Sequence, residues 1–341
     1  MYNWLHRVWY DSGSSFFLLV PLSGLYWLLI TTRRFLYRVG LFSSRRAAVP
    51  VIVVGNITTG GTGKTPFTIW LAKELAARGF SPGIVSRGYG GSKSSTSMRV
   101  DSASDPAIVG DEPVLLARSA ACPVVVDRDR VRATEMLVAD GADVIIADDG
   151  LQHYRLARSY EVCVVDGLRG LGNRRLLPAG PLREPSDRLN EVDCVVLNGA
   201  LQKMDAALTT LERNCIEFEL RPSNVVRLNG SLTKPIAEMA DTTVHAVAAI
   251  GNPQRFFDLL RAHNMQVIEH AYPDHAVLSP DQLQFGDDFN VIMTEKDAVK
   301  LGGDAADKFW VLPVELSMDP LRAGPLLEEI VSRIEGERVS K

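Results

Sequence analysis

Cysteine is scarce and never clustered. Cys122, Cys163, Cys194 and Cys215 lie far apart, with no C-x-x-C pair and no metal-ligand spacing. That excludes a disulfide framework and a short-spaced zinc site, and nothing calls for an oxidising compartment. A strong charge of one sign is also missing. A net charge of −4 gives no case for a general nucleic-acid binder. No repeat recurs at a solenoid period. The one biased run, the Gly/Ser-rich residues 90–97, reads as a mobile loop. The longest apolar stretch, residues 16–30, falls short of the ~20 residues of a spanning helix. What is present is globular material: 341 residues, 46% hydrophobic and 23% charged, enough for two domains.

The chain is organised around residues 51–65, Val-Ile-Val-Val-Gly-Asn-Ile-Thr-Thr-Gly-Gly-Thr-Gly-Lys-Thr. The β-branched start suits a strand buried on both faces. A glycine-rich turn follows and closes on Lys64-Thr65, and residues 64–78 read as a helix. Strand, glycine turn, Lys-Thr and helix together make a P-loop context. The residues Thr58, Thr59, Gly60, Gly61, Thr62 and Gly63 would curl the backbone so that several N–H groups face phosphate oxygens, aided by the helix N-terminus. Lys64 would reach the β- and γ-phosphates, and the Thr65 hydroxyl would ligate Mg²⁺. One position departs from G-x-x-x-x-G-K-[ST]: the first glycine is replaced by Thr58.

From 51 to about 200, strands alternate with helices, the sign of a mainly parallel α/β sheet. Strands are expected at 51–56, 83–87, 123–126, 144–148, 162–166 and 194–198, and polar residues gather where they end. An open α/β sheet binds its ligand at that edge. Asp148-Asp149 follows the apolar run 144–147, which is the Walker B arrangement for holding Mg²⁺. Arg87 could contact phosphate or brace a loop. Asp111-Glu112 opens a helix, where acidic residues also serve as simple N-terminal charges. His153 could touch phosphate or nucleotide or be structural. A Pro/Gly-rich connection with five arginines from 169 to 188 suits an anionic acceptor or a solvated face. A second α/β segment follows two short strands around residue 223 and carries no second P-loop.

Taken in order, G-N-x-T-x-G-G-T-G-K-T-P at 55–66, S-R-G-Y-G at 86–90, G-D-E-P at 110–113, D-D-G-L-Q-H at 148–153, L-P-A-G-P-L-R-E at 177–184 and T-E-K-D-A-V-K at 294–300 resemble the tetraacyldisaccharide 4′-kinase family, the lipid A 4′-kinases. Thr58 is how the loop looks in that family. The resemblance covers nearly the whole chain. It implies a P-loop NTPase-like α/β/α sandwich, a smaller second α/β/α domain, a β-linker between them and a hydrophobic N-terminal helix. The expected divisions are 1–46, 47–221 (kinase domain), 222–243 (linker) and 244–341 (smaller domain). It also implies transfer of the ATP γ-phosphate to the 4′-hydroxyl of a tetraacylated glucosamine disaccharide 1-phosphate, at the cytoplasmic face of the bacterial inner membrane. Asp111 is then the base for the sugar hydroxyl, supported by His275 from the second domain. Lys64, Thr65, Asp148 and Asp149 serve phosphate and Mg²⁺, with Glu112 as a further metal candidate. Gln152 and His153 fall to the nucleotide, and Arg87, Arg183 and Glu184 to the acceptor.

Residues 1–46 combine the aromatics Trp4, Trp9, Tyr10, Tyr26 and Trp27 with Arg33, Arg34, Arg38, Arg45 and Arg46. The favoured reading is a segment lying in a membrane surface with its arginines on anionic headgroups. A cleaved signal peptide lacks its short basic start and cleavage site. A hydrophobic helix packed on the domain is the competing reading. Two other functions compete. A membrane-associated regulatory ATPase of the ParA/MinD type needs a second lysine early in the loop, where this chain has Thr58 and Thr59. A soluble small-molecule kinase leaves residues 1–46 without a purpose.

Overall fold

The computed structural model describes residues 5, 8–10, 14–89, 91, 96–201, 208, 215–301 and 307–339. Trp4 and most of the Gly/Ser-rich run, including Gly90, lie outside the described residues.

The larger sheet is built from β1 (Val51–Gly55), β2 (Pro82–Ser86), β3 (Met98–Val100), β4 (Val124–Val126), β5 (Val144–Asp148), β6 (Tyr160–Asp166), β7 (Cys194–Asn198), β8 (Cys215–Pro222) and β15 (Val314–Met318). Their spatial order is β15-β8-β7-β6-β1-β5-β2-β4-β3. Only the two edge strands, β3 and β15, run antiparallel to their neighbours. In β1, Ile52 and Val54 enter one core with Phe67, Leu71 and Leu75 of α2 (Lys64–Ala77) and Val114 and Leu116 of α3 (Asp111–Ser119). Val51 and Val53 enter the opposite core with Ala133 and Leu137 of α4 (Arg130–Ala139). Alternate side chains of a strand point to opposite faces, so a run apolar at every position must be covered on both. β1 lies between β5 and β6, and the crevice of such a sheet opens at the strands' C-terminal ends.

The smaller sheet holds β9 (Val225–Arg227), β10 (Thr233–Lys234), β11 (Thr243–Ala248), β12 (Gln266–Ala271), β13 (Asn290–Thr294) and β14 (Phe309–Leu312), in the order β10-β9-β14-β13-β11-β12. Helix α5 (Pro253–Ala262) buries Phe256, Phe257 and Leu260 against it. A short turn of helix, α6 (Glu295–Ala298), follows β13.

The end of the chain departs from expectation. Residues 244–341 do not stay with the smaller unit. After β14, Pro313 ends the strand, and β15 returns to pair antiparallel with β8 at the edge of the larger sheet. Leu326, Leu327, Ile330 and Ile334 of the closing helix α7 (Pro320–Val339) then pack in the α2 core. The chain therefore crosses between the sheets twice, at 223–224 and at 313. The two crossings are joined where the Ser223 N–H donates to the Pro313 carbonyl at 2.9 Å. An apolar helix at the end of a chain goes wherever an uncovered core face remains, which periodicity alone does not reveal.

Helix α1 (Val20–Arg38) docks through few polar contacts. The Ser23 hydroxyl donates to the Leu176 carbonyl at 2.8 Å and the Tyr26 hydroxyl to the Arg183 carbonyl at 2.9 Å. Arg34 and Arg38 reach Glu191. Leu22, Leu25, Trp27, Leu28, Leu29 and Phe35 remain exposed. Among the described residues, no helix is long and apolar enough to cross a membrane.

Candidate active site

The loop after β1 is tied down at its start and takes a conformation that needs glycine at its end. The Thr59 N–H donates to the Pro181 carbonyl at 2.9 Å, and Thr58 forms an antiparallel bridge with Leu182. Thr58 is buried, extended and bridged, so this position has no need of glycine's freedom. Gly63 does need it. Its φ is +95°, and a Cβ there would fall 2.6 Å from Nδ2 of Asn198. That amide donates to the Thr62 carbonyl at 3.2 Å, which ties the loop to the end of β7.

Lys64, Thr65 and Glu112 line a cavity of about 940 Å³ at the C-terminal edge of the larger sheet. The opposite wall comes from the smaller unit and includes Ile250, Gly251 and Lys296. The two units meet closely here: a Cβ on Gly251 would stand 2.2 Å from the Gly61 nitrogen, so only glycine permits the contact.

Beneath the loop, Asp148 and Asp149 have different surroundings. The Asp149 carboxylate accepts from Nη1 and Nη2 of Arg183, at 2.8 and 3.2 Å, and lies 3.7 Å from Lys64 Nζ. Burial pushes its pKa up, but Lys64 and Arg183 more than offset this and hold it well below the usual carboxylate range. Asp148 takes one hydrogen bond, from the Thr68 hydroxyl to Oδ1 at 3.1 Å. Its Oδ2 is buried and has no hydrogen-bond partner among the described residues. Burial and the nearby Glu112 carboxylate raise its pKa, against the pull of Lys64. Such an oxygen suits a cation, and Thr65 and Glu112 line the adjoining cavity. The fully buried Arg130 braces this floor by donating to the Asp148 carbonyl at 2.6 Å.

Asp111 and His275, on different units, are adjacent. His275 Nδ1 lies 3.0 Å from Oδ1 and 3.1 Å from Oδ2 of Asp111. Burial tends to raise the Asp111 pKa; the His275 hydrogen bond and the charges of Lys296 and Lys300 outweigh it and bring it down to about 2. For His275, burial lowers the pKa, but the bond to Asp111 turns the net shift upward. The Tyr89 ring, on the 86–91 loop, sits 5.1 Å from the imidazole. Beside this pair, Lys296 Nζ donates to Glu112 Oε1 at 3.0 Å and to Asp274 Oδ1 at 3.1 Å.

The structure thus gathers residues 58–65, Asp111, Glu112, Asp148, Asp149, Arg183 and His275 around one cleft. It does not bring Glu184 there. That carboxylate is fully buried under the 177–184 loop, accepting from Gln152 Nε2 at 2.8 Å and the Tyr154 hydroxyl at 2.5 Å, with Arg188 Nε at 3.5 Å. Gln152 is engaged with it. The His153 carbonyl accepts from Arg158 Nη2 at 2.7 Å, and burial together with Arg130 and Arg158 lowers the imidazole pKa to about 4. Glu184, Gln152 and Tyr154 brace the loop because a carboxylate with no exposure must satisfy its oxygens locally. Arg87 is exposed beyond the end of β2. Sequence reasoning gave no role to Arg130, Asn198, Lys296 or Lys300. Only the last two carried a signal, as members of T-E-K-D-A-V-K.

A family model described as tetraacyldisaccharide-1-P 4′-kinase matches residues 15–333. A protein named tetraacyldisaccharide 4′-kinase from Alkalilimnicola ehrlichii is 52% identical over 300 residues, 88% of each chain. One of the same name from Methylobacillus flagellatus is 45% identical over 337 residues, 98% of each chain. Among solved structures, LpxK from Aquifex aeolicus in complex with ATP has a TM-score of 0.73 at 26% identity, covering 94% of this chain and 99% of that one.

Proposed function

The chain belongs to the tetraacyldisaccharide 4′-kinase family, and from that membership and the cleft geometry we propose that it transfers the ATP γ-phosphate to the 4′-hydroxyl of a tetraacylated glucosamine disaccharide 1-phosphate. The observation that carries this reading is the pairing of Asp111 with His275 across two units, beside a P-loop that ends in Lys64-Thr65. The ParA/MinD-type alternative has no support among these relatives.

Residues 59–63 and Lys64 hold the nucleotide phosphates. Mg²⁺ would be held by Thr65 and Asp148 with help from Glu112, and there it would neutralise charge on the transferring phosphoryl group. The partnerless Oδ2 supports Asp148 as a direct ligand, whereas Asp149 is occupied in orienting Lys64 and Arg183. Asp111, ionised at neutral pH, orients the acceptor hydroxyl and takes its proton as the new bond forms. His275 keeps the carboxylate aimed. Because His275 comes from the smaller unit, this arrangement exists only when the cleft is closed, which keeps water from competing for the phosphoryl group. The exposed apolar face of α1 suits a bilayer surface, where a tetraacylated acceptor resides. The kinase body would then lie on the cytoplasmic side, where ATP is supplied.

The test is transfer of label from γ-labelled ATP to the tetraacyl disaccharide 1-phosphate in detergent micelles with Mg²⁺. Label on the lipid is expected, together with its loss in a folded Lys64→Ala variant. ATP hydrolysis without lipid labelling, with a verified acceptor, would overturn the reading.

A further inference from the structure

Residues 294–300 leave the C-terminal end of β13 and turn at once into α6. Thr294 caps the turn, its side chain accepting from the Asp297 N–H. Asp297 is fully buried, and both its oxygens are in use. Oδ2 accepts from the Ala249 N–H at 3.0 Å and the Thr294 hydroxyl at 2.7 Å, while Oδ1 accepts from Lys300 Nζ at 2.9 Å. Lys300 is thus held from its own unit. Its ammonium reaches across the cleft to 3.5 Å from Oδ2 of Asp111, with both side chains nearly buried. One helical turn earlier, Lys296 makes the corresponding reach to Glu112.

A buried ion pair is a poor way to gain stability, because desolvation offsets most of the attraction. Apolar side chains would join two units as well. What an ammonium anchored on a buried aspartate adds is a fixed direction for the carboxylate it meets. Oδ1 of Asp111 also accepts from the Glu112 N–H at 2.9 Å, within its own helix. Among the described residues, the hydrogen-bond and ion-pair partners of Oδ2 come from the smaller unit, His275 and Lys300.

We propose that Lys300 is a positioning residue: anchored by Asp297, it holds Oδ2 of Asp111 in the orientation that receives the acceptor hydroxyl. The proposal rests on the role given above to Asp111. It assigns the T-E-K-D-A-V-K segment the task of setting the acceptor-side carboxylate, Asp111, when the cleft closes.

The experiment compares single-turnover lipid phosphorylation by Lys300→Gln and Lys300→Met, each alone and combined with Asp111→Asn, with binding of a fluorescent ATP analogue as the check on folding. Gln keeps a donor for Asp297 but loses the charge and the reach, while Met fills the space without a donor. The expected result for whichever variant binds the analogue normally is a rate lower by about tenfold or more, with KM for ATP within about threefold. In the Asp111→Asn background, the same substitution should remove less than about twofold more, because its target is already gone. A single variant within about twofold of the parent rate, a parallel rise in KM for ATP, or an equal loss in both backgrounds overturns the proposal. If Asp111→Asn alone keeps the full rate, the base assignment itself has failed, which distinguishes the two.

Discussion

Replacing His275 with alanine tests the closed-cleft mechanism at its weakest joint. The imidazole makes a bifurcated, charge-assisted hydrogen bond to Asp111 at 3.0 and 3.1 Å, on a side chain about one-fifth exposed. Such a bond contributes about 1.5–3 kcal/mol. At ~1.36 kcal/mol per unit, its loss lifts the Asp111 pKa by at most about 2 units from its present value near 2. The carboxylate therefore stays ionised at pH 7, and the loss of activity must come from orientation. Misplacement of a catalytic group by about 1 Å costs on the order of a hundredfold in rate. The pH dependence follows from the signs. The His275 pKa is raised on folding, so its ion pair is fully present below the unfolded value of about 6.5 and is lost as pH rises through the raised folded value. The Asp111 pKa is depressed, so its contribution exists above about 3.9 and fades only as pH falls toward 2. Wild-type kcat, measured by label transfer between pH 5.5 and 9.5, should show one inflection above about 6.5 that His275→Ala lacks. The variant should run about a hundredfold slower with KM for ATP nearly unchanged. An inflection that survives in the variant, or a loss confined to KM for ATP, refutes the reasoning.

Three further outcomes follow from the same geometry. Gly63→Ala imposes a left-handed strain of about 1–2 kcal/mol plus a clash with the Asn198 amide, so ATP-analogue affinity should fall by more than about tenfold; an unchanged Kd would mean that the loop does not need this conformation. Glu184→Ala strips the buried partners Gln152 and Tyr154 and weakens the set around Arg188, although Arg188 keeps Glu161. Unfolding free energy should drop by about 2 kcal/mol in urea titration, with KM for the lipid little changed; the reverse pattern would restore Glu184 to the acceptor site. Leu25→Ser, Leu28→Ser and Leu29→Ser together remove exposed apolar surface from α1, each losing about 1.5 kcal/mol of bilayer transfer. Partitioning onto anionic vesicles should weaken roughly a thousandfold; unaltered binding would favour a helix that simply packs on the domain.

The parts of this protein that its sequence determined alone are those decided within one stretch of chain. A β-branched run, a glycine turn and Lys64-Thr65 at the start of a helix specify a phosphate loop locally, because backbone freedom and strand burial are properties of neighbouring residues. Strands 144–148 and 194–198 were legible for the same reason, and motif order was enough to place the family. Tertiary structure decided what depends on which surfaces meet. Asp111 and His275 are far apart in sequence, and only the docking of two sheets makes them a pair. The same docking gives Lys300 its second carboxylate. Glu184 sits in a motif beside the cleft, yet its side chain points into a buried network, and no local pattern encodes that direction. The return of β15 and α7 to the larger sheet depends on the edge left uncovered by β8 and the core face left uncovered beside α2, both placed far earlier in the chain. Hydrophobic burial is non-directional, so a sequence states that an element must be covered without stating by what.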